Sequence, residues 1–254
     1  MKIFDCNISY GFNMMPEIIN YPDISSLLKD MDKQGIDKCM LRKASAIFGN
    51  SSLCNRELVD DIKAHSDRLY GVATYRPNLN SPDNSPLKWA ESIRENNIKG
   101  VYFYPSDYEF NIDLLGGYFD YFNQMRLPIL LEFAYGFGFL YRIDYKALSE
   151  FLSHFPNTPI ILMNAGMMND CEIFSLAENY ENFYLESSGF QGNMAVEEFV
   201  GRFGSKRLLF GSRAPFLSPV PMIGKMYYSE LEREQKEDIC YNNMKRLVLG
   251  VKYD

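Results

Sequence analysis

Histidine is nearly missing from this chain of 254 residues: only His65 and His154 occur, both on or near the ends of expected outer helices. That leaves little with which to build a polyhistidine metal site or a Ser-His-Asp triad. Cysteine is sparse and scattered, with Cys6, Cys39, Cys54, Cys171 and Cys240 forming no CxxC pair. An odd number at such spacings argues against a disulfide framework or a zinc knuckle and for a reducing, cytoplasmic setting. Positive charge is in deficit, with 26 Lys and Arg against 33 Asp and Glu. A surface for nucleic acid or for an anionic membrane would want the opposite sign, so neither partner is expected. No apolar run is long enough for a signal peptide or a membrane span. Linkers, internal repeats and low-complexity segments are missing too, so residues 1–254 read as a single domain.

What is present is a core, since 46% of the residues are hydrophobic, and a rhythm. Short apolar runs alternate with longer amphipathic segments. Strands are expected at Lys2 to Ile8, Asp37 to Arg42, Tyr70 to Tyr75 and Lys99 to Tyr104. Four more follow at Pro128 to Phe133, Pro159 to Asn164, Phe183 to Ser188 and Arg207 to Ser212. A helical pattern follows each, and the last helices are expected between Ser229 and Leu249. Several of the runs are almost continuously apolar, as in strands buried on both faces. Eight strand-then-helix units in this length predict an α/β fold, a (β/α)₈ TIM barrel. A doubly wound open sheet is the alternative, but no Gly-rich first turn supports it.

In a barrel of this kind the active site lies at the C-terminal ends of the strands. The candidate residues are therefore Asp5, Asn7, Ser9, Tyr104, Glu132, Asn164, Glu186, Ser188 and Arg213. Period-two alternation puts Asp5, Asn7 and Ser9 on one face and turns Cys6 away from the interior. The stretch "EFAYGFGFLYR" (Glu132 to Arg142) follows the fifth strand and reads as a pocket wall, a lid, a packed loop or a dimer contact. Tyr10, Phe12, Met14 and Met15 lie at the same end, as core or interface.

Ordered along the chain, several stretches resemble the amidohydrolase-related (amidohydrolase-2) family of the metal-dependent hydrolase superfamily. Phe4-Asp5-Cys6-Asn7-Ile8-Ser9 is similar to its first strand, I-D-x-H-x-H. "GIDKCML" (Gly35 to Leu41) is similar to its second strand. "NRELVDDIKAHSDRLYGVA" (Asn55 to Ala73) resembles its N-x-x-L…P-D-R-x-x-G-x-A segment, with Ser66 at the proline. "LPILLEF", "PIILMNAG", "NFYLESSG", "RLLFGSRAPF" and "NNMKRLVLG" resemble L-P-V-x-x-H, P-x-x-x-x-H-x-G, N-x-Y-x-x-x-S, R-x-x-F-G-S-D-x-P and N-x-x-R-L-L-G. The resemblance implies an amidohydrolase-type barrel, a small-molecule hydrolase class and a homodimer.

It also implies that the usual metal ligands are replaced. Asn7 and Ser9 stand at the two first-strand histidines, Glu132 at the fifth-strand histidine, Asn164 at the sixth-strand one and Arg213 at the eighth-strand aspartate. Asparagine and serine are weak neutral donors, and a guanidinium has no lone pair to give and repels a cation. No cofactor is expected. A hard cation held by Asp5, Glu132 and Glu186 is a further possibility. Arg213 and Glu132 carry two compatible readings: a structural salt bridge, with Asp5 as another partner, or a site. In the second, Arg213 holds a carboxylate or phosphate of a small anionic molecule and Glu132, with Asp5, serves as acid or base. Asn7, Ser9, Tyr104, Asn164 and Glu186 then line the ligand. The expected activity is a metal-independent hydrolase or lyase; the alternative is a pseudoenzyme that binds a ligand or a protein partner.

Overall fold

The structure is a computed structural model that describes residues 1–76, 85–105, 112–133, 143–165 and 170–253, with only the backbone at 112–116. Within these residues the strands are β1 (Phe4–Tyr10), β2 (Lys38–Lys43), β3 (Leu69–Tyr75), β4 (Gly100–Phe103), β5 (Ile129–Leu131), β6 (Ile160–Leu162), β7 (Phe183–Glu186) and β8 (Leu208–Leu209). They pair in parallel, in the order β1 to β8. Cys6 N donates to Phe210 O at 2.9 Å and Ser9 N to Ala214 O at 2.9 Å, which brings the last strand back to the first. The result is the predicted (β/α)₈ barrel.

Helices cover the outside: α1 (Ile24–Gln34), α2 (Ser51–Ile62), α3 (Pro86–Glu95), α4 (Ile112–Met125), α5 (Tyr145–His154), α6 (Asp170–Asn179) and α7 (Ala195–Phe203). Local chemistry sets their ends. Asp23 caps α1 by accepting from Ser26 N at 2.8 Å, and Gly35, at φ 71°, closes it in the left-handed region. Three helices follow β8: α8 (Pro219–Tyr228), α9 (Arg233–Glu237) and α10 (Asn243–Leu249). The first lies ahead of the predicted Ser229 to Leu249 span. Its prolines and glycine mask it, yet Pro219 and Pro221 fall in the first turn, where amides lack helical acceptors.

The barrel interior is apolar at its floor and polar at its mouth. Phe4, Cys6, Met40, Val72, Tyr102, Leu130, Ile161 and Leu209 form one buried cluster with Met244, Leu247 and Val248 of α10. Phe4 packs in tilted geometry against Tyr70, with ring centroids 5.1 Å apart, and against Tyr241 at 6.0 Å, at the floor. One pleat further along the same faces come Arg42, Thr74, Tyr104, Glu132 and Glu186.

The strand β1 departs from strict alternation. Asp5 pairs with Cys39 but Ile8 with Leu41, so three steps on β1 oppose two on β2. This bulge turns both Cys6 and Asn7 inward. Cys6 packs inside the barrel, against the expectation that it faces away. Asp5 belongs to the opposite face from Asn7 and Ser9, which corrects the shared face read from period two.

Candidate functional site

Six of the residues singled out at the strand ends converge: Asn7, Glu132, Asn164, Glu186, Ser188 and Arg213. Glu132 continues the β5 ladder, its amide donating to Phe103 O at 3.0 Å. Its Oε1 accepts from Arg213 Nη2 at 3.3 Å, and its Oε2 accepts from the Tyr102 hydroxyl. A second guanidinium, Arg42, brings Nη2 to 3.9 Å from the same Oε2. It donates from Nη1 to Asn7 Oδ1 at 3.1 Å and lies over the Tyr102 ring, 4.3 Å from its centroid. Side-chain exposure is 1% for Glu132, 6% for Arg42 and 17% for Arg213. Arg213 is thus the most accessible member. It rests on the Phe216 ring at 4.7 Å and holds φ at 60°, a strained setting for a residue with a Cβ.

Glu186 faces inward and anchors a second network. Its Oε1 accepts from Ser188 N at 2.5 Å. Its Oε2 accepts from Asn164 N at 3.1 Å, Asn7 Nδ2 at 3.2 Å and Ser188 Oγ at 2.8 Å. Asn7 Nδ2 also reaches Asn164 Oδ1 at 2.9 Å, and Ser188 Oγ lies 3.0 Å from that same oxygen. The chain gives this carboxylate room through Gly211: a Cβ there would stand 2.1 Å from Glu186 Oε1. Burial raises the Glu186 pKa above the usual carboxylate value, and the amide, hydroxyl and Arg213 contacts oppose the rise. Asn164 sits at φ 55°, and its buried Nδ2 finds no acceptor among the described residues.

Asp5 is tied to the backbone beside this network. Its Oδ1 accepts from Asn7 N at 2.9 Å and from Ser212 N at 3.1 Å. Burial lifts its pKa to about 6, with the bonds from Ser212 and Asn7 pulling the other way. The salt bridge of Arg213 goes to Glu132. Ser9 and Tyr104 are buried at the flanks of the mouth, Tyr104 within the interior cluster. Of the aromatic stretch after Glu132, residues 134–142 lie outside the described residues.

Arg42 and Tyr102 also belong to this cluster, although neither stands among the strand-end candidates. Arg42 closes the apolar run "DKCMLR" two residues beyond the interior Met40, so the parity that selects Glu132 after Leu130 selects it as well.

The residues here do not fit a bound transition metal. Two guanidiniums lie within 3.3 and 3.9 Å of the Glu132 carboxylate, and Asn7 Oδ1 already accepts from one. The arrangement of Asp5, Glu132 and Glu186 around a hard cation is not formed either. Asp5 sits on the other face of β1, Glu186 is filled by donors, and no group of three His, Cys, Asp or Glu side chains among the described residues could hold an ion.

The amidohydrolase family profile matches residues 52–248. No curated protein matches the sequence. Among solved structures, an uncharacterized TIM-barrel protein from Bordetella bronchiseptica superposes with TM-score 0.77 at 15% identity, covering 98% of this chain and 99% of that one. The 5-carboxyvanillate decarboxylase of Sphingomonas paucimobilis gives 0.71 at 12% identity, covering 98% and 99%. A dihydroxybenzoic acid decarboxylase from Polaromonas, solved with manganese and the inhibitor 2-nitroresorcinol, gives 0.72 at 13%, covering 98% and 97%. At these identities the likeness is one of fold.

Proposed function

The chain belongs to the amidohydrolase family, and on that premise we propose that its barrel mouth binds a small carboxylate-bearing molecule and acts on it as a hydrolase or lyase without a metal ion. One observation carries the reading: Glu132, 1% exposed, is held between a guanidinium that is 17% exposed, at 3.3 Å, and a buried one at 3.9 Å. An incoming carboxylate exchanges with Glu132 on Arg213, the member that solvent reaches. This frees Glu132 Oε1 to take up or deliver a proton, while the Tyr102 hydroxyl steadies Oε2. Asn7 and Asn164 orient the ligand, and Ser9 and Tyr104 border it. Glu186 holds the two asparagines in place. Asp5, the second carboxyl of the proposal, acts through the Asn7 and Ser212 amides that it orders. The anionic substrates named for the structural neighbours, such as 5-carboxyvanillate, support the choice of ligand charge.

A binding-only protein is the second reading, favoured by the fact that both Glu132 oxygens already have partners. Thermal shift with a panel of small carboxylates and phosphates, on chelator-treated protein, tests the proposal. Hits are expected with wild type and not with Arg213→Met. Each hit is then followed for product by mass spectrometry: turnover supports the enzyme, binding without turnover supports the second reading, and a metal requirement contradicts both. The exposed Phe12, Met14 and Ile18 in the loop after β1 support a homodimer, which sedimentation equilibrium would detect.

A further inference from the structure

Arg42 is a buried cation with too few acceptors. A guanidinium has five N–H donors in a fixed fork. Among the described residues only Nη1 makes a hydrogen bond, to the neutral Asn7 Oδ1 at 3.1 Å. Nε is buried and makes no hydrogen bond among the described residues, and Nη2 lies 3.9 Å from Glu132 Oε2, beyond hydrogen-bonding range. The edge formed by Nε and Nη2 is the one that pairs side-on with a carboxylate. The Tyr102 face, 4.3 Å away, fixes its plane. A charge kept in this condition fits a group that waits for an anion better than a structural tie, because an under-bonded buried guanidinium costs the fold more than it returns.

We propose that Arg42 is the resident positive centre of the mouth, and that its Nε–Nη2 edge receives the carboxylate of the ligand beside Glu132, while Nη1 stays on Asn7. Asn7 and Glu132, which flank the guanidinium, are two positions that the family resemblance aligns with metal ligands, so a side chain supplies the charge there. The inference rests on the anion-site reading above and names the residue that grips the anion after Arg213 admits it. A delocalised, planar oxyanion is the fitting chemistry, since only it can bridge both donors.

Titration calorimetry with benzoate, succinate and inorganic phosphate tests this on wild type, Arg42→Met, Arg42→Lys and Arg213→Met, with melting temperatures recorded in parallel. Arg42→Met is expected to weaken carboxylate binding by about 30-fold or more. Arg42→Lys, which keeps the charge and loses the fork, is expected to lose most of that affinity too and carries the test if Arg42→Met fails to fold. The melting temperature of Arg42→Met should equal or exceed that of wild type. Methylguanidinium added to Arg42→Ala should restore benzoate binding. If the Arg42 variants bind carboxylates as wild type does while Arg213→Met does not, Arg42 is structural and the proposed function stands without it. Wild type that binds none of the three anions contradicts the anion-site reading itself.

Discussion

The two buried glutamates of the barrel mouth live in opposite conditions. On the side of β1, β6 and β7, Glu186 receives four hydrogen bonds between 2.5 and 3.2 Å, and the chain has given up a side chain at Gly211 to make room for it. On the side of β2, β5 and β8, Glu132 meets two guanidiniums at 3.3 and 3.9 Å, and one of them, Arg42, keeps an unused edge. A carboxylate filled with short bonds to backbone and hydroxyl donors fixes structure. A carboxylate that keeps the Tyr102 hydroxyl on one oxygen, but meets its guanidiniums only at 3.3 and 3.9 Å, with Arg213 strained and 17% exposed, is suited to exchange its ionic partners. The contrast separates the frame of the barrel mouth from the half to which the proposed function assigns the ligand.

The largest way to break the comparison is at the frame. Gly211→Ala or Glu186→Ala should destabilise the fold by about 3–5 kcal/mol, the first through overlap with a buried carboxylate and the second by stranding several donors. Chemical denaturation measures it, and losses below about 1 kcal/mol would make the network dispensable.

Next comes the pH dependence of Asp5. Its folded pKa of about 6 stands above the usual 3.8 because of burial. A carboxyl raised on folding lends stability that is fully present below 3.8 and lost as pH rises through about 6. Asp5→Asn lacks this titration. Relative to the variant, wild type should therefore lose up to about 3 kcal/mol between pH 3.5 and 7. Glu186, raised in the same direction, acts over the same side of the pH scale. Denaturation of both proteins across this range gives the answer, and parallel curves would show that Asp5 is not perturbed.

The half assigned to the ligand should respond less in stability and more in binding. Arg213→Met is expected to cost about 1–2 kcal/mol, reduced from the full price of a buried unpaired carboxylate by its residual exposure. Glu132→Gln combined with Arg213→Met should recover much of it, and a double variant less stable than the single one would contradict the pairing. The smallest effect belongs to a surface control: removing the exposed Arg202 partner of Glu198, at 2.8 Å, should change stability by less than about 0.5 kcal/mol.

Much of this architecture is legible in the sequence, and the exceptions have physical causes. Apolar runs such as "PIILMN" announce strands because both faces of a barrel strand are covered, and the polar residue that ends each run marks the mouth. Glu132, Asn164, Glu186 and Arg213 are found that way. Asp5 is misplaced because a bulge adds a residue to β1, and nothing in "FDCNISY" distinguishes a bulged strand from a regular one. The helix α8 is hidden by prolines whose first-turn position becomes evident only once the helix start is known. Arg42 escapes because an arginine at the end of a strand reads equally well as a surface residue, although its parity with Met40 points inward. The saturation of Glu186 and the open edge of Arg42 are invisible to pattern, since both depend on residues from distant strands meeting within hydrogen-bonding range.

At the centre of the proposed function is an anion held by guanidiniums with no metal ion. The most direct test titrates benzoate into the protein before and after stripping with a chelator, with metal content determined on the same samples. The account predicts saturable binding that stripping leaves unchanged and that Arg213→Met and Arg42→Met each abolish or greatly weaken. Stoichiometric zinc or manganese in the untreated protein, together with loss of benzoate binding on stripping, would contradict it.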